Sequence, residues 1–247
     1  MKGATPQGAR GEREAASWVR AMFGRIAPRY DLANHLLSFN IDRRWRAHTV
    51  NRVRPILERP GARVLDICCG TGDLVLALEK GAGGGRASGV LGSDFCHPML
   101  IAAAAKIARR RANVRLFESD ALHMPLADRS LDLLTVAFGF RNLANYDAGL
   151  REIYRVLRPG GMAAILEFSQ PPNAAFAAIY NFYSRRLLPR IGGLLTGTSD
   201  AYNYLPESVR KFPSAPELAE GMRRVGFKQV RFERLTGGIV ALHLGER

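Results

Sequence analysis

A short apolar run that ends in a glycine-containing loop constrains this chain more than any other feature. Val64–Cys68 leads through Cys69 into Gly70-Thr71-Gly72, and a helical pattern begins at Asp73. Glycines at 70 and 72 let the backbone turn tightly and approach a ligand without a Cβ in the way. The pattern predicts a buried strand, a ligand-binding loop and a helix, the unit from which parallel α/β sheets are built.

The same loop excludes two common phosphate sites. No Gly-Lys-Ser or Gly-Lys-Thr follows it, so it is not a P-loop. The third glycine of a dinucleotide fingerprint would fall at Val75. Because Asp66 and Asp73 flank the loop, we expect it to receive a cationic ligand better than a pyrophosphate.

Short apolar runs alternate with helical patterns from residue 63 onward. Strand-like runs occur at 63–68, 88–93, 113–118, 131–138, 162–168, 228–235 and 239–244, and helical patterns at 73–80, 98–111, 147–157 and 214–225. Alternation at this pitch indicates a parallel sheet covered on both faces. The prediction is an α/β fold with a seven-stranded, mostly parallel, Rossmann-like sheet that closes in a C-terminal antiparallel hairpin.

The remaining segments define the predicted domain organisation. Residues 1–11 are rich in Gly, Pro and polar residues and read as a disordered tail, followed by a single domain over 12–247. Within it, 12–58 reads as an N-terminal helical lid, with apolar residues at helical spacing that include Leu32, Leu36 and Leu37. Residues 171–213 read as an insertion that covers the substrate, with aromatic side chains concentrated in Tyr202–Phe212.

Thirty-six Lys and Arg residues against 22 Asp and Glu residues give a net charge of +14. Most of this surplus lies in two flanks, residues 1–60 and 171–247, around a nearly neutral middle. Such a distribution predicts a basic face, which suits nucleic acid or the anionic surface of a membrane. The alternative is an arginine-rich chain whose charge serves solubility alone.

No segment reads as a membrane span, because the longest uncharged stretch, Ser169–Ser184, contains two prolines and falls short of the roughly 20 residues needed. The N-terminus has no apolar segment after its first charges, so we expect no secretory signal and a cytoplasmic location. Three cysteines, two of them adjacent, do not make a disulfide framework, and five histidines show no ligand spacing. We therefore expect no bound metal.

Carboxylates at two further strand ends complete a pattern with the glycine loop. Asp94 closes the second predicted strand, where a carboxylate accepts hydrogen bonds from ribose hydroxyls, although it would also serve as a cap for the next helix. After the third strand, the Asp120 side chain can accept from an adenine amino group, and the backbone N–H of Ala121 can donate to a ring nitrogen. Together these features describe the S-adenosylmethionine site of a class I methyltransferase.

Several longer motifs resemble the ubiquinone/menaquinone biosynthesis C-methyltransferase family. They are Met22–Asp31, Phe138–Asn142, Leu166–Ser169, Tyr204–Pro213 and Gly237–His243. The resemblance covers about residues 20–245. It implies methylation of a ring carbon on a prenylated quinol, demethylmenaquinol to menaquinol, with the benzoquinol step of ubiquinone biosynthesis left open. It also implies a substrate tail in or near the membrane, so we expect peripheral association with the inner face of the membrane. Whether the protein forms a homodimer stays open.

The resemblance assigns site residues one by one. The counterparts of Thr71, Asp94, Asp120 and Ala121 contact S-adenosylmethionine, beside Gly70 of the loop, and the counterparts of Arg141 and Asn142 face the quinol. The chain departs from many relatives at Asn40 and Asp42, where they have Gly and His, and at Ala137, where they often have Ser.

The chemistry assigns a role to these residues. A phenol with a pKa near 10 resists deprotonation at neutral pH, and a nearby cation lowers that barrier. Arg141 is expected to stabilise the phenolate and orient a water that takes the proton, while Asn142 holds the other oxygen. An ion pair between Arg141 and Asp147 at a helix start is the structural alternative. His243, Tyr202 and Tyr204 are alternative proton acceptors, although a histidine in an apolar strand more often packs.

Two other classes of protein fit the sequence less well. An RNA or DNA methyltransferase would suit the basic composition, but the fourth strand is followed by Phe138-Gly139-Phe140, without the Asn or Asp before Pro-Pro used in base-nitrogen methylation. Carbon-5 cytosine chemistry needs a later nucleophilic cysteine, and every cysteine lies at or before Cys96. We therefore expect no nucleic-acid partner. A non-catalytic binding module would not need both the glycine loop and the strand-end carboxylates.

Overall fold

The structure is a computed structural model that describes residues 3–6, 8–31, 38–83, 89–187 and 200–247. The description extends to the side chains in those ranges except those of residues 181, 185, 187 and 200–203. Leu32, Leu36 and Leu37, expected on a lid helix, therefore lie outside the described residues, as does the side chain of Tyr202.

One mixed sheet forms the centre of the described chain. Its strands are β1 (Val64–Ile67), β2 (Val90–Asp94), β3 (Val114–Glu118), β4 (Leu131–Ala137), β5 (Leu157–Phe168), β6 (Lys228–Leu235) and β7 (Val240–Glu246), in the order β3-β2-β1-β4-β5-β7-β6. β1 to β5 run parallel, and β7 pairs antiparallel with β5 and β6. This confirms the predicted fold. Because the strand order reverses between β1 and β4, a crevice opens beyond their carboxyl ends.

Helices cover both faces of the sheet. The described ones are α1 (Glu12–Ile26), α2 (Ile41–Leu57), α3 (Asp73–Gly81), α4 (His97–Arg110), α5 (Tyr146–Val156), α6 (Ala174–Phe182), α7 (Asp200–Lys211) and α8 (Ala215–Val225). No described helix is both long and apolar enough to cross a membrane.

Side chains of the central strands alternate between two apolar layers. Val64 and Leu133 join the layer under α2 and α3, whereas the next residues, Leu65 and Leu134, join the layer under α5 and α8. A third cluster lies above the crevice, where Val19 of α1 packs with residues of α4 and α7. The N-terminal segment therefore forms a roof over the carboxyl ends of the strands.

The start of α2 accounts for one of the departures from the family pattern. Asn40 precedes this helix with φ 58°, a left-handed conformation that Asn tolerates almost as readily as Gly. Asp42, in the first turn of the helix, is buried and forms an ion pair with Arg46. Asn40 thus keeps the left-handed conformation that Gly would allow. Asp42, where many relatives have His, instead provides an acidic partner for Arg46.

Two sequence expectations differ from the structure. The helical patterns predicted from the sequence do not include α6 and α7 of the 171–213 insertion, because α6 carries no charged residue and α7 contains Pro206 in its interior. The tail expected to be disordered includes a packed part: Ala4 is buried, its N–H donates to the Leu143 carbonyl at 2.8 Å, and Lys211 Nζ donates to the Thr5 carbonyl at 3.0 Å.

Candidate active site

The glycine loop turns sharply between β1 and α3. Cys68, Gly70 and Gly72 have φ values of 50°, 55° and 87°, so three of its residues are left-handed. The Cys69 N–H donates to the Ser93 carbonyl at 2.9 Å, which ties the loop to the end of β2. A Cβ on Gly70 would meet no neighbouring atom, so the backbone there faces open space. A ligand can approach the main chain at this point.

Asp94 connects this loop to the next one. Its Oδ2 accepts the Gly70 N–H at 2.8 Å and its Oδ1 accepts the Cys96 N–H at 2.9 Å. Burial raises the pKa of Asp94, although the backbone N–H groups act to lower it. A carboxylate oxygen can accept more than one hydrogen bond. Asp94 can therefore brace the loop and still accept from ligand hydroxyls.

Asp66 and Asp73, the two acidic residues beside the glycine loop, do not act as free negative charges. Burial raises the pKa of Asp66 to about 7, and its Oδ1 accepts the Thr135 hydroxyl at 2.6 Å. Asp73 lies 2.7 Å from Lys106 Nζ. Asp66 and Asp73 therefore contribute less to attracting a cationic ligand than their positions in the sequence predict.

A first cavity lies over the strand ends and measures about 730 Å³ out to its open mouth. Four of the predicted cofactor residues line it: Gly70, Asp94, Asp120 and Ala121. Thr71 does not line it. Its hydroxyl donates to Asp31 Oδ1 at 2.5 Å and accepts from Lys106 Nζ at 3.2 Å.

A second, larger cavity of about 1330 Å³ adjoins the first and is mostly apolar. Aromatic side chains supply much of its wall: Phe39, Trp45, Phe168, Tyr180, Tyr183 and Tyr204. Phe23, Tyr30 and Phe138 line both cavities, so the two meet there. The sequence motif containing Tyr30 signalled this region, but its place between two cavities depends on the packing of the roof.

Arg141 lines the second cavity from the turn that follows β4. Its Nη1 donates to Glu167 Oε1 at 3.0 Å and to the Phe138 carbonyl, and its Nε is buried with no partner among the described residues. Burial lowers the pKa of Arg141, but the charges of Glu167, Tyr30 and Tyr204 and the hydrogen bond to Glu167 together outweigh burial, so the net shift is upward. The ion-pair partner of Arg141 is therefore Glu167 of β5. The alternative predicted from the sequence, an ion pair with Asp147, is wrong.

Asn142 lines the first cavity rather than the second. Its Oδ1 is buried and has no partner in the part of the chain that the structure describes, and its Nδ2 donates weakly to the Phe138 carbonyl at 3.5 Å. The expectation was that Arg141 and Asn142 face the same ligand. They lie in a 3-10 turn, Phe140–Asn142, in which successive side chains point about 120° apart. The turn therefore separates the two neighbours.

Of the alternative proton acceptors, Tyr204 lies in the second cavity and His243 does not line either one. The Tyr204 hydroxyl is buried without a hydrogen-bond partner from any described residue, and burial raises its pKa to about 12. His243 Nε2 lies 2.9 Å from the Ala215 carbonyl, so this nitrogen is the donor. Burial lowers the pKa of His243 to about 4, which fits a packing role in β7.

The described residues contain no group of three or more His, Cys, Asp or Glu side chains arranged to hold a metal ion. Cys68, Cys69 and Cys96 are all free thiols. Burial raises the pKa of Cys68 and Cys69 well above the ordinary value. These thiols therefore stay protonated and are poor nucleophiles at neutral pH.

Comparison with known proteins gives consistent matches. The model of the ubiE/COQ5 methyltransferase family matches residues 9–247. A demethylmenaquinone methyltransferase of Thermus thermophilus is 49% identical over 226 residues, which is 92% of this chain and 100% of that protein. A ubiquinone/menaquinone biosynthesis C-methyltransferase of Syntrophotalea carbinolica is 45% identical, covering 93% of this chain and 94% of that one.

Solved structures match in fold. A SAM-dependent methyltransferase from Thermotoga maritima, described as a possible histamine N-methyltransferase, aligns with a TM-score of 0.64 at 18% identity over 92% of this chain and 98% of that one. Another, from Aquifex aeolicus, aligns with a TM-score of 0.58 at 21% identity over 81% of this chain and 88% of that one. At these identities the likeness concerns the fold alone.

Proposed function

The chain belongs to the ubiE/COQ5 methyltransferase family, and we propose that it transfers a methyl group from S-adenosylmethionine to a ring carbon of a prenylated quinol. The acceptor we favour is demethylmenaquinol, because relatives from Thermus thermophilus, Deinococcus radiodurans and Geobacillus kaustophilus are named demethylmenaquinone methyltransferases. The benzoquinol step of ubiquinone biosynthesis is the second candidate, since other relatives carry both quinones in their names.

One observation carries this proposal: a cavity at the strand ends that contains Asp94 and Asp120 adjoins an aromatic cavity that contains Arg141, and Phe23, Tyr30 and Phe138 line both. Methyl transfer is an in-line displacement, so donor and acceptor must occupy adjoining sites from which water is excluded. A prenylated quinol needs an apolar site with a few polar groups, which describes the second cavity.

The first cavity fits S-adenosylmethionine. Asp94 would accept hydrogen bonds from the ribose hydroxyls, and Asp120 and Ala121 would recognise the adenine. Gly70 would let the ligand approach the main chain, since no side chain intervenes. When bound, this cofactor supplies an electrophilic methyl group on a sulfonium. The unpaired Asn142 Oδ1 would face the cofactor, which changes its proposed role from quinol to cofactor contact. Thr71 would act on the loop rather than on the ligand.

Two residues that line the second cavity carry a hydrogen-bond donor that no described residue uses. They are Arg141, through its Nε, and Tyr204, through its hydroxyl, and both donors are buried. We assign them to the oxygen next to the carbon that is methylated. Two such donors stabilise a developing phenolate, because hydrogen bonds to a charged acceptor are strong in a dry site.

The proton leaves to a water that the Arg141 fork orients. Arg141 itself is always charged and cannot be the base. Tyr204 keeps its proton at neutral pH, since burial raises its pKa to about 12, so it donates rather than accepts. Glu167 holds the guanidinium at Nη1 and thereby leaves Nε available for the substrate.

The membrane is the proposed partner, and the cytoplasmic face of the bilayer the proposed location. Phe39, Ile179 and Phe182 have exposed fractions of 73%, 68% and 62%, and the Phe39 ring lies 6.3 Å from that of Tyr183 at the second cavity. Exposed apolar side chains mark an interaction surface where they lie together in one patch. Arg43 and Arg44 are exposed just beyond Phe39, which suits anionic lipid headgroups.

An acceptor panel tests the proposed function. The purified protein is incubated with methyl-labelled S-adenosylmethionine and, separately, a short-tailed demethylmenaquinol, the corresponding benzoquinol and transfer RNA. We expect label on a ring carbon of the naphthoquinol, located by mass spectrometry. Preferential labelling of the benzoquinol would favour the second candidate, and labelling of RNA alone would overturn the proposal.

A further inference from the structure

Lys106 of α4 has three partners from different parts of the chain. Its Nζ lies 2.6 Å from Asp31 Oδ2, 2.7 Å from Asp73 Oδ1 and 3.2 Å from Thr71 Oγ1. Its side chain is only 10% exposed. Burying an ammonium group is costly unless its donors are used, and these partners match its three N–H groups.

The helix that carries Lys106 is held close to the glycine loop. A Cβ on Gly72 would lie 3.3 Å from the Cβ of Ala103, one turn before Lys106. The absence of a side chain at 72 therefore lets α4 pack directly on the loop. This approach brings Lys106 within reach of both Thr71 and Asp73.

The third partner belongs to the roof. Asp31 directly follows Tyr30, which lines both cavities, and Asp31 also accepts the Thr71 hydroxyl at 2.5 Å. Phe23, from α1 of the same roof, lines both cavities as well. A single ammonium group thus joins the segment above the first cavity to the loop below it.

We propose that Lys106 is a positioning residue that holds the N-terminal roof against the glycine loop and so controls how tightly the first cavity retains its cofactor. This rests on the proposed function, in which that cavity takes S-adenosylmethionine. Without Lys106, the carboxylates of Asp31 and Asp73 would face each other with Arg46, 3.8 Å from Asp73, as a remaining cation. Like charges in a partly buried site repel, so the roof would open.

The test compares Lys106→Met with Lys80→Met, which removes the same charge from an exposed position on α3. Titration calorimetry measures the Kd for S-adenosylmethionine, and stopped-flow measures its release. We expect Lys106→Met to raise the Kd at least about tenfold through faster release, and the KM for the cofactor to rise more than kcat falls. Lys80→Met should bind like the wild type.

A second variant separates repulsion from general loss of stability. The double variant Asp31→Asn with Lys106→Met removes the repelling carboxylate together with the ammonium group. It should therefore bind S-adenosylmethionine several-fold more tightly than Lys106→Met. It should also fold even if Lys106→Met does not. Lys106→Arg should retain most of the affinity. Equal Kd values for Lys106→Met and Lys80→Met would overturn the proposal. So would a double variant that binds S-adenosylmethionine no more tightly than Lys106→Met alone.

The outcomes also separate this inference from the proposed function. A wild-type protein that does not bind S-adenosylmethionine, or an Asp94→Ala variant that binds it normally, contradicts the cofactor site itself and with it the role of Lys106. Weak binding by Asp94→Ala together with unchanged binding by Lys106→Met contradicts only the role of Lys106.

Discussion

Glu167 contacts Arg141 at two points: its Oε2 accepts the Arg141 backbone N–H at 3.1 Å, and its Oε1 accepts Nη1 at 3.0 Å. Both residues are buried, with relative exposures of 1% and 6%. The carboxylate of β5 therefore sets both the position of the turn and the orientation of the guanidinium. Removing one partner of such a pair leaves a buried charge uncompensated.

The first prediction concerns this pair. Glu167→Gln should destabilise the protein by about 2 to 4 kcal/mol and lower kcat at least tenfold, because the guanidinium loses its counter-charge and its fixed orientation. Thermal unfolding and steady-state kinetics measure the two effects. In a double-mutant cycle with Arg141→Met, the losses should be strongly non-additive. Additive losses would mean that Glu167 acts independently of Arg141.

A second prediction concerns Tyr204. Because its hydroxyl bonds to none of the residues that the structure describes, Tyr204→Phe should leave the melting temperature unchanged. It should lower kcat by about 10- to 100-fold, the loss expected when a hydrogen bond to a charged oxygen is removed. Tyr154→Phe, on α5 away from both cavities, is the control. Loss of stability without loss of turnover would assign the Tyr204 hydroxyl a structural role instead.

Asp66 gives a prediction about pH and stability. Its pKa is about 7 in the folded protein against 3.8 ordinarily, a difference on the order of 4 kcal/mol. Between these values the folded chain holds a proton that the unfolded chain releases, so the stability contributed by this group falls as pH rises and levels off above about pH 7. Asp66→Asn should therefore gain stability relative to the wild type between pH 4 and 8.

Urea unfolding of both proteins across that range measures the effect, with the exposed Asp128→Asn as a control for charge removal. Other titrating groups cancel in the difference between wild type and variant. Parallel stability curves for the wild type and Asp66→Asn would contradict the raised pKa.

The membrane surface gives a fourth prediction. Phe39→Ser with Phe182→Ser should weaken binding to anionic vesicles at least about tenfold, because each phenylalanine contributes roughly 1 to 2 kcal/mol when it enters the bilayer. Ile101→Ser removes a comparably exposed apolar side chain from α4 and should have no effect. Sedimentation with vesicles, without any quinol, measures binding. Equal losses for both variants would show that the patch is not specific.

Much of the fold follows from local sequence pattern. Apolar runs that alternate with turn residues indicate the strands. A carboxylate at a strand end, such as Asp94, can then be recognised as a candidate site residue, because parallel strands end at the same edge of the sheet. The alternation of strands and helices along the chain also predicts that helices cover both faces of the sheet. Local pattern does not reveal α7, since Pro206 is unfavourable in a helix interior and tertiary packing overrides that preference.

The details of the site depend on contacts between distant segments. Glu167 is 26 residues from Arg141, and Lys106 is 75 residues from Asp31, so no local pattern pairs them. The separation of Arg141 and Asn142 depends on a single 3-10 turn, which neighbouring sequence does not specify. The resemblance to the family indicated which segments matter, and the packing determines which partner each side chain has.

In the proposed function, Arg141 serves the acceptor in the second cavity while the first cavity binds the cofactor. The most direct measurement is turnover of short-tailed demethylmenaquinol at neutral pH and saturating S-adenosylmethionine, for the wild type and Arg141→Lys. Lysine keeps the charge but lacks the planar fork. We predict a loss of about 10² to 10³ in kcat with an unchanged Kd for the cofactor. Wild-type turnover by Arg141→Lys would contradict the account.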